Sequence, residues 1–254
     1  MLAQAAFFLY SYNQFFAAIL GICLQYQYIL PIYEFDPETF DNFDADSNQL
    51  LCNSLFKNFA HLQQNFFYIW GAKSSGKTHV LKAANNLFLQ QERSAIYIPL
   101  TKTHYFSPEI LEELEELDLV CLDDLGAIAG NDEWEVAIFD LFNRIKETGK
   151  TLLLMSADQP PQQLPIKLPD LRSRLSWGET YQLAELSDDK KAAVLQQAAR
   201  KQGLELPDEV AKFLLNRLDR DLTYLFSVLE KLDKASLQAQ RKLTIPFVKE
   251  QLHL

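Results

Sequence analysis

Cysteine and histidine are too few and too scattered in this chain to build a cross-link or a metal cage. Cys23, Cys52 and Cys121 lie far apart and no CxxC pair occurs, so no disulfide framework is expected and the usage suits a reducing, cytoplasmic compartment. The four histidines are equally dispersed, which predicts no structural metal. Positive charge is also in deficit: 24 Lys and Arg stand against 34 Asp and Glu, a net charge of −10. Broad wrapping of nucleic acid needs the opposite balance, because Lys and Arg must neutralise phosphates. A local basic patch is still compatible with this composition. Internal repeats and low-complexity tracts are absent as well.

The first 33 residues lack charge altogether. Ala3 to Leu24 is rich in Phe, Tyr, Leu, Ile and Ala, yet no Lys or Arg opens it as in a signal peptide, and Gln4, Ser11, Asn13 and Gln14 interrupt a clean membrane span. Three readings fit: a start assigned too far upstream, which is preferred, a packing extension, or a membrane anchor. The expectation is no membrane association. The rest of the chain is ordinary globular sequence: 254 residues with 48% hydrophobic suffice for one large domain, or a medium domain with a small one.

The most informative segment is Gly71-Ala72-Lys73-Ser74-Ser75-Gly76-Lys77-Thr78, a complete GxxxxGK[ST] phosphate loop. It follows the apolar run Phe66–Trp70 and precedes Val80, Leu81, Ala84 and Leu87 at helical spacing, so it is a strand-to-helix turn. Its backbone N–H groups, from Gly71 through Ser74, Ser75 and Gly76 into the helix, then point at phosphates. Lys77 would reach the β- and γ-phosphates, and the Thr78 hydroxyl would help hold Mg²⁺. The predicted ligand is ADP or ATP with Mg²⁺.

Around this loop the pattern alternates. A helix is expected after Asn48, strands at 95–100, 119–122 and 151–155 with a short fifth at 181–183, and helices at 108–117 and from an Asn131 cap to about Gly149. The stretch from Gln159-Pro160-Pro161 to Pro169 reads as a surface loop. From Ser187 onward strand signals stop, and helices are expected at 188–202, 207–218, 220–238 and after Thr244. The fold class is therefore α/β, a parallel-sheet P-loop core followed by an all-helical lobe.

The third strand ends in Asp123-Asp124, where a P-loop NTPase presents carboxylates to Mg²⁺ and to attacking water. Asp123 would belong to the metal's surroundings and Asp124 would polarise water. The fourth strand ends at Ser156-Ala157-Asp158, placing Asp158 at the carboxyl edge of the sheet as a sensor of the γ-phosphate, or as an ordinary turn residue. Arg174, beside Trp177-Gly178, either reaches into another subunit's nucleotide or sits in a surface salt bridge. Arg220, in Asp219-Arg220-Asp221, either folds back onto bound phosphates or opens a charged helix.

Together these strings resemble the AAA+ ATPases of the bacterial replication-initiator clade, the DnaA/Hda family, over about residues 25–254. The resemblance is carried by Asp123-Asp124-Leu125 with Ala129-Gly130, Glu133-Trp134-Glu135-Val136-Ala137-Ile138-Phe139-Asp140-Leu141, Leu168-Pro169-Asp170-Leu171, Ser173-Arg174-Leu175, Leu218-Asp219-Arg220 and Lys242-Leu243-Thr244-Ile245-Pro246-Phe247. It implies a five-stranded AAA+ base at 48–186 and a helical lid at 187–254, with Arg174 as an arginine finger acting in trans, Asp158 as sensor 1 and Arg220 as sensor 2. The initiator's helix-turn-helix and helicase-loading domains are not expected in this sequence.

Gln27-Tyr28-Ile29-Leu30-Pro31 is similar to the Q-x-x-L-P peptide by which such regulators dock on the sliding clamp. In that reading residues 25–47 are a clamp-binding segment, residues 1–24 precede it as an extension, Leu30 and Pro31 fill an apolar pocket, and Gln27 hydrogen-bonds at its edge. The alternative is a buried edge strand. The resemblance implies a negative regulator of replication initiation, with a DnaA-type initiator and the clamp as partners, DNA reached through the clamp, and self-association open. An autonomous loader-type ATPase and a nucleotide-stabilised scaffold are the other classes that fit.

Overall fold

The computed structural model describes residues 38–43 and 45–254; Gln27, Leu30 and Pro31 lie outside the described residues. Strands β1 (Phe66–Trp70), β2 (Ala95–Pro99), β3 (Leu119–Asp123), β4 (Leu152–Ala157) and β5 (Glu179–Gln182) form one sheet in the order β2-β3-β4-β1-β5. Every adjacent pair is parallel. Parallel strands need long crossovers: after a leading helix α1 (Gln49–Ala60), α2 (Lys77–Gln90), α3 (Asp132–Thr148) and α4 (Pro169–Arg174) supply three of them, and 3₁₀ turns lead from β2 to β3.

Burial on both faces explains why β3 and β4 are apolar without alternation. The strand period of two still divides their side chains. Phe67, Ile69, Cys121, Leu152 and Leu154 join the core that α1 and α2 complete with Leu55, Val80, Leu81 and Phe88. Tyr68, Val120, Leu122, Leu153 and Met155 join the opposite core, with Trp134, Ile138, Phe142 and Ile145 of α3. The helix α3 starts and stops as expected, with the Asn131 side chain accepting from the Trp134 N–H and Gly149 at φ 65° closing it.

One expected element is different. The acidic helix at 108–117 is instead two 3₁₀ turns, Pro108–Leu111 and Leu114–Glu116, joined through Glu113 at φ 62°. Like charges at helical spacing oppose a helix there, and side chains from α3 and from the residue before β4 hold the segment by its carbonyls. Arg144 donates to the Leu111 carbonyl at 2.6 Å and Thr151 to the Glu115 carbonyl at 2.6 Å. The Pro-rich stretch at 159–169 is a loop, but Leu164 and Ile166 anchor it in the core.

The helices α5 (Asp188–Lys201), α6 (Asp208–Arg217), α7 (Leu222–Ala239) and α8 (Ile245–Leu252) enclose a separate core of Leu195, Val210, Leu214, Leu225, Leu229 and Phe247. Side-chain caps begin three of them: Ser187 accepts from the Lys190 N–H, Asp221 from the Tyr224 N–H and Thr244 from the Phe247 N–H. No helix among the described residues is long and apolar enough to cross a membrane.

Candidate nucleotide site and the family it defines

The phosphate loop leaves β1 beside β4 and enters α2, at the carboxyl edge where strand order reverses and α/β sheets bind ligands. The Gly71 N–H bonds the Ala157 carbonyl of β4 at 3.3 Å, which fixes the root of the loop. Gly76 has φ 99° and caps α2, a conformation open to glycine and strained for other residues. Among the described residues, the N–H groups of Ser74, Gly76, Lys77 and Thr78 have no backbone acceptor, and the buried Ser75 hydroxyl has no partner. That is a set of unsatisfied donors at a helix N-terminus, which suits an anion.

Lys77 closes this cradle on itself. Its Nζ donates to the Gly71 and Ala72 carbonyls, each at 2.8 Å, and pairs with Asp158 Oδ1 at 2.8 Å. A phosphate would offer the same ammonium a stronger set of oxygens. Asp158 thus stands directly beside the loop lysine, at the end of β4.

Asp123, at the end of β3, is almost fully buried and three hydroxyls hold it. Thr78 Oγ1 donates to its Oδ2 at 2.7 Å, Tyr97 Oη to the same oxygen at 2.6 Å, and Ser156 Oγ to its Oδ1 at 2.5 Å. A carboxylate and a hydroxyl in contact at the mouth of a phosphate loop are hard oxygen donors of the kind Mg²⁺ takes, so the residues present fit that ion. Burial, together with the charge of Asp123, pushes the Tyr97 phenol well above its ordinary value, so it stays a donor.

The neighbouring Asp124 is half-buried at φ 64°, ψ 68°, with its N–H donating to Ser156 Oγ at 2.8 Å. Desolvation, then the charges of Asp158 and Asp123, raise its carboxyl above the ordinary carboxylate range, while Lys77 acts against them. A carboxylate held more basic than usual is better able to take a proton from water.

Two further arginines sit elsewhere. Arg220 pairs with Asp188 of α5 at 3.3 Å; the contact between the loop and the lid is made instead by Lys73 and Asp221, at 2.9 Å. Arg174, the last residue of α4, has its guanidinium carbon 4.5 Å from the Phe139 ring centroid and 4.6 Å from that of Trp177. It makes no ion pair among the described residues. Trp177 is 44% exposed, and Lys146 Nζ lies 4.1 Å from the same ring. The turn that carries it is pressed under β1: a Cβ on Gly178 would fall 2.0 Å from the Phe66 carbonyl oxygen.

Tyr97 is the site residue that sequence reading misses. Its only signal is a phenol in an otherwise apolar strand, and its relevance depends on register. Pro99 pairs with Asp123, so Tyr97, two residues earlier on β2, shares that face of the sheet.

Residues 36–182, more than half of the chain, match the model of the bacterial DnaA ATPase domain, and residues 188–252 match that of the Hda lid domain. The chain belongs to the DnaA/Hda family of AAA+ proteins. An uncharacterised protein of Haemophilus influenzae is 60% identical over 225 residues, 89% of this chain and 97% of that one. The crystal structure of domain III of the Thermotoga maritima replication initiation protein DnaA superposes with a TM-score of 0.72 at 22% identity, covering 85% of this chain and 95% of that one. The AMPPCP-bound DnaA of Aquifex aeolicus gives 0.61 at 23% identity, over 76% and 64%. At these identities the two structures establish the AAA+ fold. The DnaA-type base with an Hda-type lid makes this chain a DnaA-related AAA+ regulator with a P-loop nucleotide site.

Proposed function

We propose that this chain inactivates a DnaA-type replication initiator by stimulating hydrolysis of the ATP that the initiator carries. In this reading it binds ADP or ATP at its own phosphate loop, docks on the DNA-loaded sliding clamp through Gln27, Leu30 and Pro31, and presents Arg174 to the initiator's nucleotide. The observation that carries the reading is the setting of Arg174. Among the described residues the guanidinium has no acidic partner, and it rests on two aromatic rings, one of them exposed, so it can enter another molecule's site without first breaking a salt bridge. Guanidinium charge is permanent and planar, which suits the equatorial oxygens of a transferring phosphoryl group. Fingers supplied in trans raise hydrolysis by roughly 10³ to 10⁵-fold. Family membership supports the choice of partner.

In the chain's own site, Lys77, the loop N–H groups and Ser75 would hold the phosphates, with Asp158 next to Lys77. Thr78 and Asp123 would hold Mg²⁺, which when bound supplies positive charge that draws electron density from the phosphates. Asp124 would take a proton from water, and its raised basicity supports the second reading, an autonomous ATPase acting as a loader.

The experiment is release of phosphate from labelled ATP preloaded on the initiator, with DNA-loaded clamp present. Wild-type chain should convert it to ADP. Arg174→Ala should lose that stimulation by about 10³-fold while keeping its melting temperature and its own nucleotide affinity. Retained stimulation would remove the finger role; hydrolysis of free ATP that needs Lys77 but no clamp would favour the loader.

A further inference from the structure

We infer that Tyr97 is the positioning residue for Asp123, and that its hydroxyl sets how tightly this site takes a divalent cation with its nucleotide. The inference rests on the reading of the site as one for a nucleotide and Mg²⁺. Asp123 ends β3, and the strands on either side each send one hydroxyl to it. Ser156 of β4 bonds Oδ1 at 2.5 Å and Tyr97 of β2 bonds Oδ2 at 2.6 Å. Held from both sides, the carboxylate has its plane fixed before any cation arrives. The third hydroxyl, Thr78 at 2.7 Å, belongs to the phosphate loop itself and is a candidate ligand, able to donate to Asp123 while its oxygen lone pairs face a cation, so it is part of the ligand set and not a brace from a neighbouring strand.

The two supports differ in what else they do. Ser156 also accepts from the Asp124 N–H at 2.8 Å, which ties it to the left-handed backbone there. Among the described residues Tyr97 Oη makes one bond, to Asp123. Its ring packs against the α1 and α2 side of the sheet, with Lys82 Nζ 5.8 Å away, and a phenylalanine would keep that packing. Removing the hydroxyl leaves Asp123 Oδ2 with the Thr78 bond, so no buried acceptor is stranded and the variant folds. What is lost is orientation of the ligand. Partners of this outer kind are typically worth 10 to 100-fold in metal affinity, by fixing the ligating atom and tuning its basicity.

The test is calorimetric and needs no turnover. The full chain, as wild type and as Tyr97→Phe, is titrated with ADP in excess EDTA, and then with MgCl₂ at saturating ADP; melting temperatures are recorded alongside. The expected result is an ADP affinity without Mg²⁺ that is unchanged within about threefold, a melting temperature within a few degrees, and a Mg²⁺ half-saturation raised about 10 to 100-fold. An unchanged Mg²⁺ dependence would make Tyr97 a packing residue and overturn the inference. Equal loss with and without Mg²⁺ would do the same by exposing a general structural defect. A wild-type chain that binds ADP but ignores Mg²⁺ would remove the metal reading beneath it, and one that does not bind ADP at all would remove the nucleotide reading, so the failures are distinguishable.

Discussion

Asp124 holds a conformation that a carboxylate-bearing residue adopts at a cost. At φ 64°, ψ 68° it lies in the left-handed region, which asparagine enters more readily, and its charge is opposed by burial and by Asp158 and Asp123. Both terms predict that Asp124→Asn stabilises the nucleotide-free protein. The electrostatic part is at most about 1 kcal/mol, because the group is half-exposed and water screens it, which at this chain length is a rise of about 2–4 °C. The pH dependence separates the two terms. The folded carboxyl is more basic than the unfolded one, so its penalty is full above the folded pKa and disappears as pH falls below the ordinary carboxylate value near 4. Melting curves should therefore show the gain shrinking from pH 7 to pH 4, with any remainder due to the backbone. A gain that grows on acidification would contradict the direction assigned to this group.

Among the elements, α4 is the one most dependent on others. It is six residues long, Pro169–Arg174, and no side chain at its own N-cap bonds it. Glu135 of α3 supplies the anchorage instead. Its carboxylate is 1% exposed and accepts from the N–H groups of Gly130 at 2.7 Å, Lys167 at 3.1 Å and Leu168 at 2.7 Å. One buried acid thus joins the start of α3 to the segment that delivers Arg174. Glu135→Ala would leave those donors without a protein acceptor and should cost about 2–4 kcal/mol in denaturant unfolding. Glu135→Gln, which keeps carbonyl acceptance, should cost less. Equal and small costs for both would mean that water replaces the carboxylate. The Lys73–Asp221 pair is the corresponding stitch between the phosphate loop and the lid, although Lys73 is too exposed for the pair to add much stability.

At the scale of the whole molecule, a finger acts on another protein only if the two meet often enough. The sequence motif at Gln27, Leu30 and Pro31 answers that need in the proposed reading, since tethering to a shared clamp turns a weak encounter into a local one worth about 10²- to 10⁴-fold. A Gln27→Ala, Leu30→Ala chain should therefore lose initiator-ATP hydrolysis by about 10²-fold at low protein concentration and regain it when the chain is supplied in large excess. Loss that no excess restores would show that these residues act in something other than docking.

Most of the architecture and the ligand cradle could be read from the sequence, because they depend on local pattern. The phosphate loop is contiguous, Asp123-Asp124 closes an apolar run, and the caps at Asn131, Ser187 and Thr244 act within three residues. The 3₁₀ turns at 108–116 were not legible, since Arg144 and Thr151, far along the chain, hold the Leu111 and Glu115 carbonyls. Neither were the partners of the charged groups: that Lys77 rests on Asp158, that Arg220 faces Asp188, and that Arg174 has aromatic company but no acid among the described residues. Nor was Tyr97, whose role exists only because parallel register sets β2 beside β3. Sequence by itself determined the elements and the chemistry available, because helix and strand periods, caps and the loop motif are short-range. Which side chains meet was decided by the tertiary structure, because strand order and register bring together residues that no spacing along the chain relates.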